Sequence, residues 1–156
     1  MAHVTVEYMI MVPVLILQIF LFPIVAGAIM DNWSTTQTTL ELQESAGHLG
    51  STIQQVYYTI TRIGEDCTMK INLDLAQHEQ YAYTVTLTHA EGVDTAYSIM
   101  NVSMQVVGGK GFGSSMVTLG GDVDWEDGLS FSSIQQDLSL VATKTGGSIT
   151  LTVEED

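Results

Sequence analysis

Basic residues are nearly missing from this chain. Lys and Arg total 4 against 18 Asp and Glu, for a formal charge of −14. That balance argues against nucleic acid as a partner, because cationic neutralisation of phosphates supplies most of such affinity. It argues equally against docking on anionic lipid heads. There is one cysteine, Cys67, which excludes an intrachain disulfide framework and a cysteine-rich zinc site. Proline occurs only at Pro13 and Pro23. Charged residues make up 14% of the chain, well under the usual quarter. Apolar residues make up 46%, too many for a disordered chain. The 156 residues suffice for one domain of ordinary size.

The apolar residues are concentrated at the front. No charged residue occurs from Tyr8 to Met30. As a helix this run would span roughly 35 Å, enough to cross a bilayer. Pro13, Gln18, Pro23 and Gly27 lie within it, and a membrane helix tolerates such residues better than a soluble one. Neither end is flanked by Lys or Arg, and the first such residue is Arg62. A secretory signal peptide needs a basic n-region and a shorter apolar core. A simple anchor usually carries Lys or Arg on its cytoplasmic flank. The pattern suits a chain relieved of a basic leader. It also suits a hydrophobic helix that visits the membrane and ends in a protein assembly.

From residue 42 the apolar positions are Leu42, Ala46, Leu49, Ile53, Val56, Ile60 and Ile63. Their 4-3 spacing predicts an amphipathic helix with one apolar stripe. Gly64 is the expected stop. If the two segments join, residues 4–63 form one helix roughly 90 Å long. Its first half, apolar all round, must be buried in lipid or protein.

After Gly64 the period becomes 2. Alternation over 69–75, 81–87, 100–106 and 149–153, with shorter candidates at 115–119, 129–133 and 137–143, predicts half-buried strands. Gly108-Gly109, Gly120-Gly121 and Gly146-Gly147 separate several of them. The expected class is α+β. A long N-terminal hydrophobic α-helix precedes an antiparallel β-sandwich head, Ig-like or pilin-like, of six to eight strands. The expected division is residues 1–64 for the helix and 65–156 for the head. Within the helix, 1–30 form the filament-core or membrane segment and 31–64 pack on the head. A 65–156 fragment is expected to be soluble and β-rich.

Catalytic chemistry finds little support. His3, His48, His78 and His89 are scattered, with no HExxH and no nucleophile elbow. Cys67 starts a predicted strand, where a buried inert thiol is the default. The run Gly108–Gly113 lacks P-loop spacing and reads as a hairpin turn. Asp122, Asp124, Glu126 and Asp127 are weak candidates for a Ca²⁺ loop. The EF-hand positions that should hold Gly and Glu hold Asp127 and Ser133, so a solvated acidic turn is the default. No metal, cofactor or enzymatic role is expected. Two of the three asparagines stand in glycosylation sequons, Asn32-Trp33-Ser34 and Asn101-Val102-Ser103. Asn101 lies on the polar side of its predicted strand, open to a glycan.

Glu7 interrupts the apolar pattern just before the run. An ionised carboxylate on such a helix costs about 2.5–3.5 kcal/mol by insertion scales. It is either solvated at the lipid interface or paired with a cation. No Lys or Arg precedes Arg62, so the available cation is an α-amino group, its own or a neighbouring subunit's.

Glu7, the uncharged run Tyr8–Met30, a long helix to about Ile63 and a β-rich head together resemble the type IV pilin superfamily, and most of all the archaeal pilins. The resemblance implies that a prepilin peptidase removes a short basic leader in the membrane and that pilus assembly machinery builds a helical homopolymer. The apolar helices, with Pro13 and Pro23 inside them, would leave the lipid and bundle into a filament core. It implies that Glu7 pairs with a neighbouring N-terminal amine. The family places this glutamate fifth in the mature chain, as Glu7 would be in a chain beginning at His3. The expected product is the major pilin of an extracellular, cell-surface pilus for adhesion, embedded in the membrane before assembly. An archaellum subunit is the nearest alternative. A membrane-anchored extracellular binding module for a sugar or metal is the alternative from a different class.

Overall fold

The computed structural model describes residues 2–73, 75, 81–90, 97–135 and 137–155, with side chains from Met9 onward. One helix, α1, runs from Ala2 to Arg62 and includes Pro13 and Pro23. By packing, the chain divides into Met1–Gln37 and Thr38–Asp156. This border falls inside α1.

The reason lies in the stripe. Leu42, Ala46, Leu49, Ile53, Val56 and Ile60 are all buried, and Tyr57 joins them. Together with side chains of every strand except β1 they form one hydrophobic cluster. The second half of α1 is therefore core of the head, and residues 65–156 do not contain a complete core. Ile63, the last residue of the expected stripe, is 37% exposed because the helix has ended at Arg62. The C-terminal carbonyls need partners, since the last turn has none within the helix. Lys144 Nζ donates to the Ile63 carbonyl at 2.5 Å, where a cation also complements the helix dipole.

Eight strands follow: β1 (Cys67–Asn72), β2 (Tyr83–His89), β3 (Tyr97–Val106), β4 (Phe112–Gly120), β5 (Val123–Trp125), β6 (Leu129–Ser132), β7 (Leu138–Thr145) and β8 (Ser148–Glu155). They form two four-stranded sheets, ordered β1-β7-β8-β5 and β4-β3-β2-β6. The architecture is α+β: an apolar N-terminal helix and two mainly antiparallel sheets. Alternation along β2 illustrates the cause. Tyr83, Val85 and Leu87 are buried, while Thr84, Thr86 and Thr88 face outward, as a period of 2 requires. Gly146 and Gly147 both have positive φ (59° and 94°) between the paired Thr145 and Ser148. That is the two-residue hairpin turn whose twist matches its strands.

Two details of the sheets go beyond what the periodic pattern gives. The stretch around Asp122–Asp127 is not simply an acidic turn, because Val123 and Trp125 are buried as inward residues of β5. β5 also pairs in parallel with β8. Only Gly121 and Asp122 link β4 to β5, and they carry the chain from one sheet to the other. A strand that arrives by such a crossing is not bound to the antiparallel direction a hairpin imposes.

α1 runs beside β4, the outer strand of its sheet. Gly113 lies against the Leu42–Gln43 backbone and Gly50 against Val117. Gln54 Nε2 donates to the Thr118 carbonyl at 3.4 Å. The helix thus lies over the inward face of β4, where Gly113 and Val117 are buried, and Gln54 reaches a backbone carbonyl of that strand.

Candidate assembly surface

The first unit is the most exposed apolar surface of the molecule. Met9, Ile10, Ile19, Phe20, Phe22, Ile24, Ile29 and Met30 are each 64–80% exposed. α1 is long and apolar enough to cross a membrane. Its most apolar 18-residue window has a mean hydropathy of 2.6, and none of that window is buried. Exposed patches above a few hundred Å² mark interaction surfaces, and this one surrounds the helix. Leu15, Gln18, Ile19, Phe22, Pro23 and Val25 line one shallow groove. Phe22, Ala26, Ile29, Met30 and Trp33 line another. Pro13 and Pro23 leave one backbone acceptor each without its usual donor, yet the helix continues through both. Of Glu7 only the backbone, within α1, is described; its side chain lies outside the described residues, as does that of His3.

The other candidates occupy separate places. Asn32 is exposed on α1, and its carbonyl accepts the Thr36 hydroxyl at 2.8 Å. Asn101 is half-buried on the outer face of β3, and its Oδ1 is enclosed without a donor. The four acidic residues diverge in their roles. Asp122 accepts the Tyr57 hydroxyl at 3.4 Å. Asp127 accepts the His89 backbone N–H at 2.8 Å. Asp124 and Glu126 are exposed. Among the described residues no three His, Cys, Asp or Glu side chains come together as a metal site. Cys67 is free, half-buried and packed against the core. His78 lies outside the described residues.

Two features escape a reading by period. The His89 imidazole stacks on the buried Trp125 indole at 3.9 Å, with the rings 14° apart. A cavity of about 530 Å³ lies beside the helix in the head, with Glu41, Glu44 and His48 above apolar Leu49, Leu73 and Met104. Near it, Tyr81 donates its hydroxyl to Glu41 Oε2 at 2.8 Å. Burial first, then this carboxylate, pushes the Tyr81 phenol well above its ordinary range. Spacing along the sequence gives no sign of either pairing, since His89 and Trp125, and likewise Tyr81 and Glu41, lie far apart along the chain.

Comparison with family models, with curated proteins and with solved structures finds no match. The chemistry of the surface therefore rests on its own residues. From Tyr8 to Met30 it is uncharged, and its exposed apolar side chains lie all round the helix. A surface of this kind associates, with lipid chains or with other apolar helices.

Proposed function

We propose that this chain is the structural subunit, a major pilin, of an extracellular type IV-like filament of the archaeal kind. The observation that supports this reading is the unburied apolar window of α1, mean hydropathy 2.6, joined to a head with its own closed core. In the membrane, lipid solvates the rod. In the filament, other copies take the place of lipid and side-chain packing holds the bundle. Each subunit offers different faces to its neighbours, so the contacts are heterologous and the polymer is open. The heads form the outer sheath and carry attachment to surfaces.

Glu7 is the polar group of that bundle. Pairing with a neighbour's α-amino group offsets the cost of placing its carboxylate among apolar side chains. Pro13 and Pro23 lie in the same bundle. The partners are further copies of the chain, the membrane before assembly, a prepilin peptidase and the assembly machinery. Asn32 on α1 and Asn101 on the head are the candidate glycan acceptors of a chain whose head faces the outside.

The test is electron microscopy of material sheared from cells that express the chain, with mass spectrometry of the fibres. Fibres containing it, with helical order, are expected. A chain that stays monomeric in the detergent-solubilised membrane fraction, with no fibres outside, would instead make it a membrane-anchored module. Loss of swimming rather than of attachment on deletion would identify an archaellum subunit.

A further inference from the structure

β2, β3, β4 and β6 contain no Asp, Glu, Lys or Arg, although the chain holds 18 acidic and 4 basic residues. The outward face of their sheet is therefore uncharged, and part of it is apolar. Tyr97 and Met116 are 62% and 75% exposed, and Phe112 is 51% exposed. Ile99 follows Tyr97 by two residues, and so shares its face. Met116 stands opposite Asn101 and diagonal to Ile99, a separation that long side chains bridge. Tyr97, Ile99 and Met116 thus form one patch, with Phe112 on the same face at the other end of β4. β4 is the outer strand of its sheet and pairs with β3 alone. It carries neither a charge nor a Pro, the usual guards against contact with another chain at such a strand. The outward face of the other sheet, with Lys70 and Glu154, lacks this neutrality.

We propose that this uncharged face, centred on Tyr97, Ile99 and Met116, docks the head of a second copy of the chain. The proposal rests on the self-assembling reading above and names the surface by which heads meet. Charge selects the occupant. A cationic partner gains nothing from a face without carboxylates and is drawn instead to the exposed Asp124 and Glu126. A second copy has a formal charge of −14, so the acidic faces repel it. The uncharged face lets two such heads touch without burying a carboxylate. Lys110, exposed in the turn just before Phe112, gives the rim one cation for the neighbour's carboxylates. Stable contacts between free proteins bury about 1,200–2,000 Å² in total, more than these few side chains supply. α1 holds both copies in one bundle or one membrane, and the local concentration this creates makes a weak contact effective. A glycan on Asn101 would stand between the two heads, so copies in contact carry none there.

The test is photo-crosslinking of the full-length chain in the cells that express it. Tyr97→p-benzoylphenylalanine puts the probe in the patch, and Thr150→p-benzoylphenylalanine puts it on the outward face of the other sheet. After irradiation, the Tyr97 probe should give a product of twice the chain's mass that contains this chain alone by mass spectrometry. The Thr150 probe should give several-fold less. Adding Met116→Asp to the Tyr97 probe should lower the yield several-fold, with the β-rich circular dichroism of the head unchanged. No such product at position 97, a product with a different protein, equal yields from the two probes, or a yield indifferent to Met116→Asp overturns the surface. A sugar on the Asn101 peptide of the crosslinked product does the same. Fibres without the product would refute this surface and leave assembly standing, whereas the product from membrane-bound chains without fibres would do the reverse.

Discussion

Gly113 on β4 lies so close under the turn of α1 at Leu42 that a methyl group on it would stand 2.5 Å from the Leu42 carbonyl carbon and 2.7 Å from its oxygen. Those atoms are backbone and cannot swing aside. Gly113→Ala is expected to lower head stability by about 1–3 kcal/mol, the range for overpacking. A methyl group on Gly47, in the same helix, would meet nothing within 4 Å. Gly47→Ala should therefore raise stability by about 0.5–1 kcal/mol. Thermal melts of the two variants in detergent check the contrast. Equal effects of both would show that the close approach is not a constraint.

The buried side chains from Leu42 to Ile60 predict where the head can be cut. A large apolar side chain contributes about 1.5–3 kcal/mol when fully buried, and a domain's net stability is only about 5–15 kcal/mol. Residues 38–156 should fold as a soluble monomer with a cooperative melt. Residues 65–156 should aggregate or remain unfolded. A cooperative melt from the shorter fragment would mean that the helix is dispensable to the core.

Alkaline pH should loosen the contact between Tyr81 and Glu41. The ordinary phenol value is 10.0 and the folded value is higher. The folded state thus holds the proton more tightly than the unfolded chain. The stability this contributes is complete below about pH 10 and is lost as pH rises beyond it toward the folded value. Urea midpoints of the parent should fall more steeply above about pH 10 than those of Tyr81→Phe. Parallel pH profiles would remove Tyr81 as the source.

Removing Glu7 should separate assembly from folding. Glu7→Ala is expected to reduce fibre yield severalfold, while the head keeps its β-rich circular dichroism and its melting temperature. A parent-like yield and length of fibres would show that no carboxylate is needed in the bundle.

Lys144 ties the end of α1 to β7 by its bond to the Ile63 carbonyl. Lys144→Met keeps the aliphatic stem and removes the charge. A loss of about 0.5–1 kcal/mol is expected, as for other cations at helix C-termini. A melt unchanged from the parent would show that solvent serves that carbonyl equally well.

Periodicity carried the local structure. The 4-3 spacing of Leu42 to Ile60 placed the buried stripe, since helical geometry forces residues three and four apart onto one side. The alternation Tyr83-Val85-Leu87 placed β2 for the same kind of reason. Gly146-Gly147 marked the turn between β7 and β8 because both positions need positive φ. Tyr57 was missed because it flanks the stripe, one residue past Val56. β5 was missed because three residues are too few for a period, and acidic neighbours masked Val123 and Trp125.

Length, charge and hydropathy by themselves determined the bare apolar segment, the amphipathic continuation and the strand-rich remainder, because each follows from residues within a few positions of one another. The pairing of β5 with β8, the fit of Gly113 under Leu42 and the meeting of Tyr81 with Glu41 were decided only by the tertiary structure. They join residues tens of positions apart, and no local spacing encodes which distant partner the closing core will bring into contact.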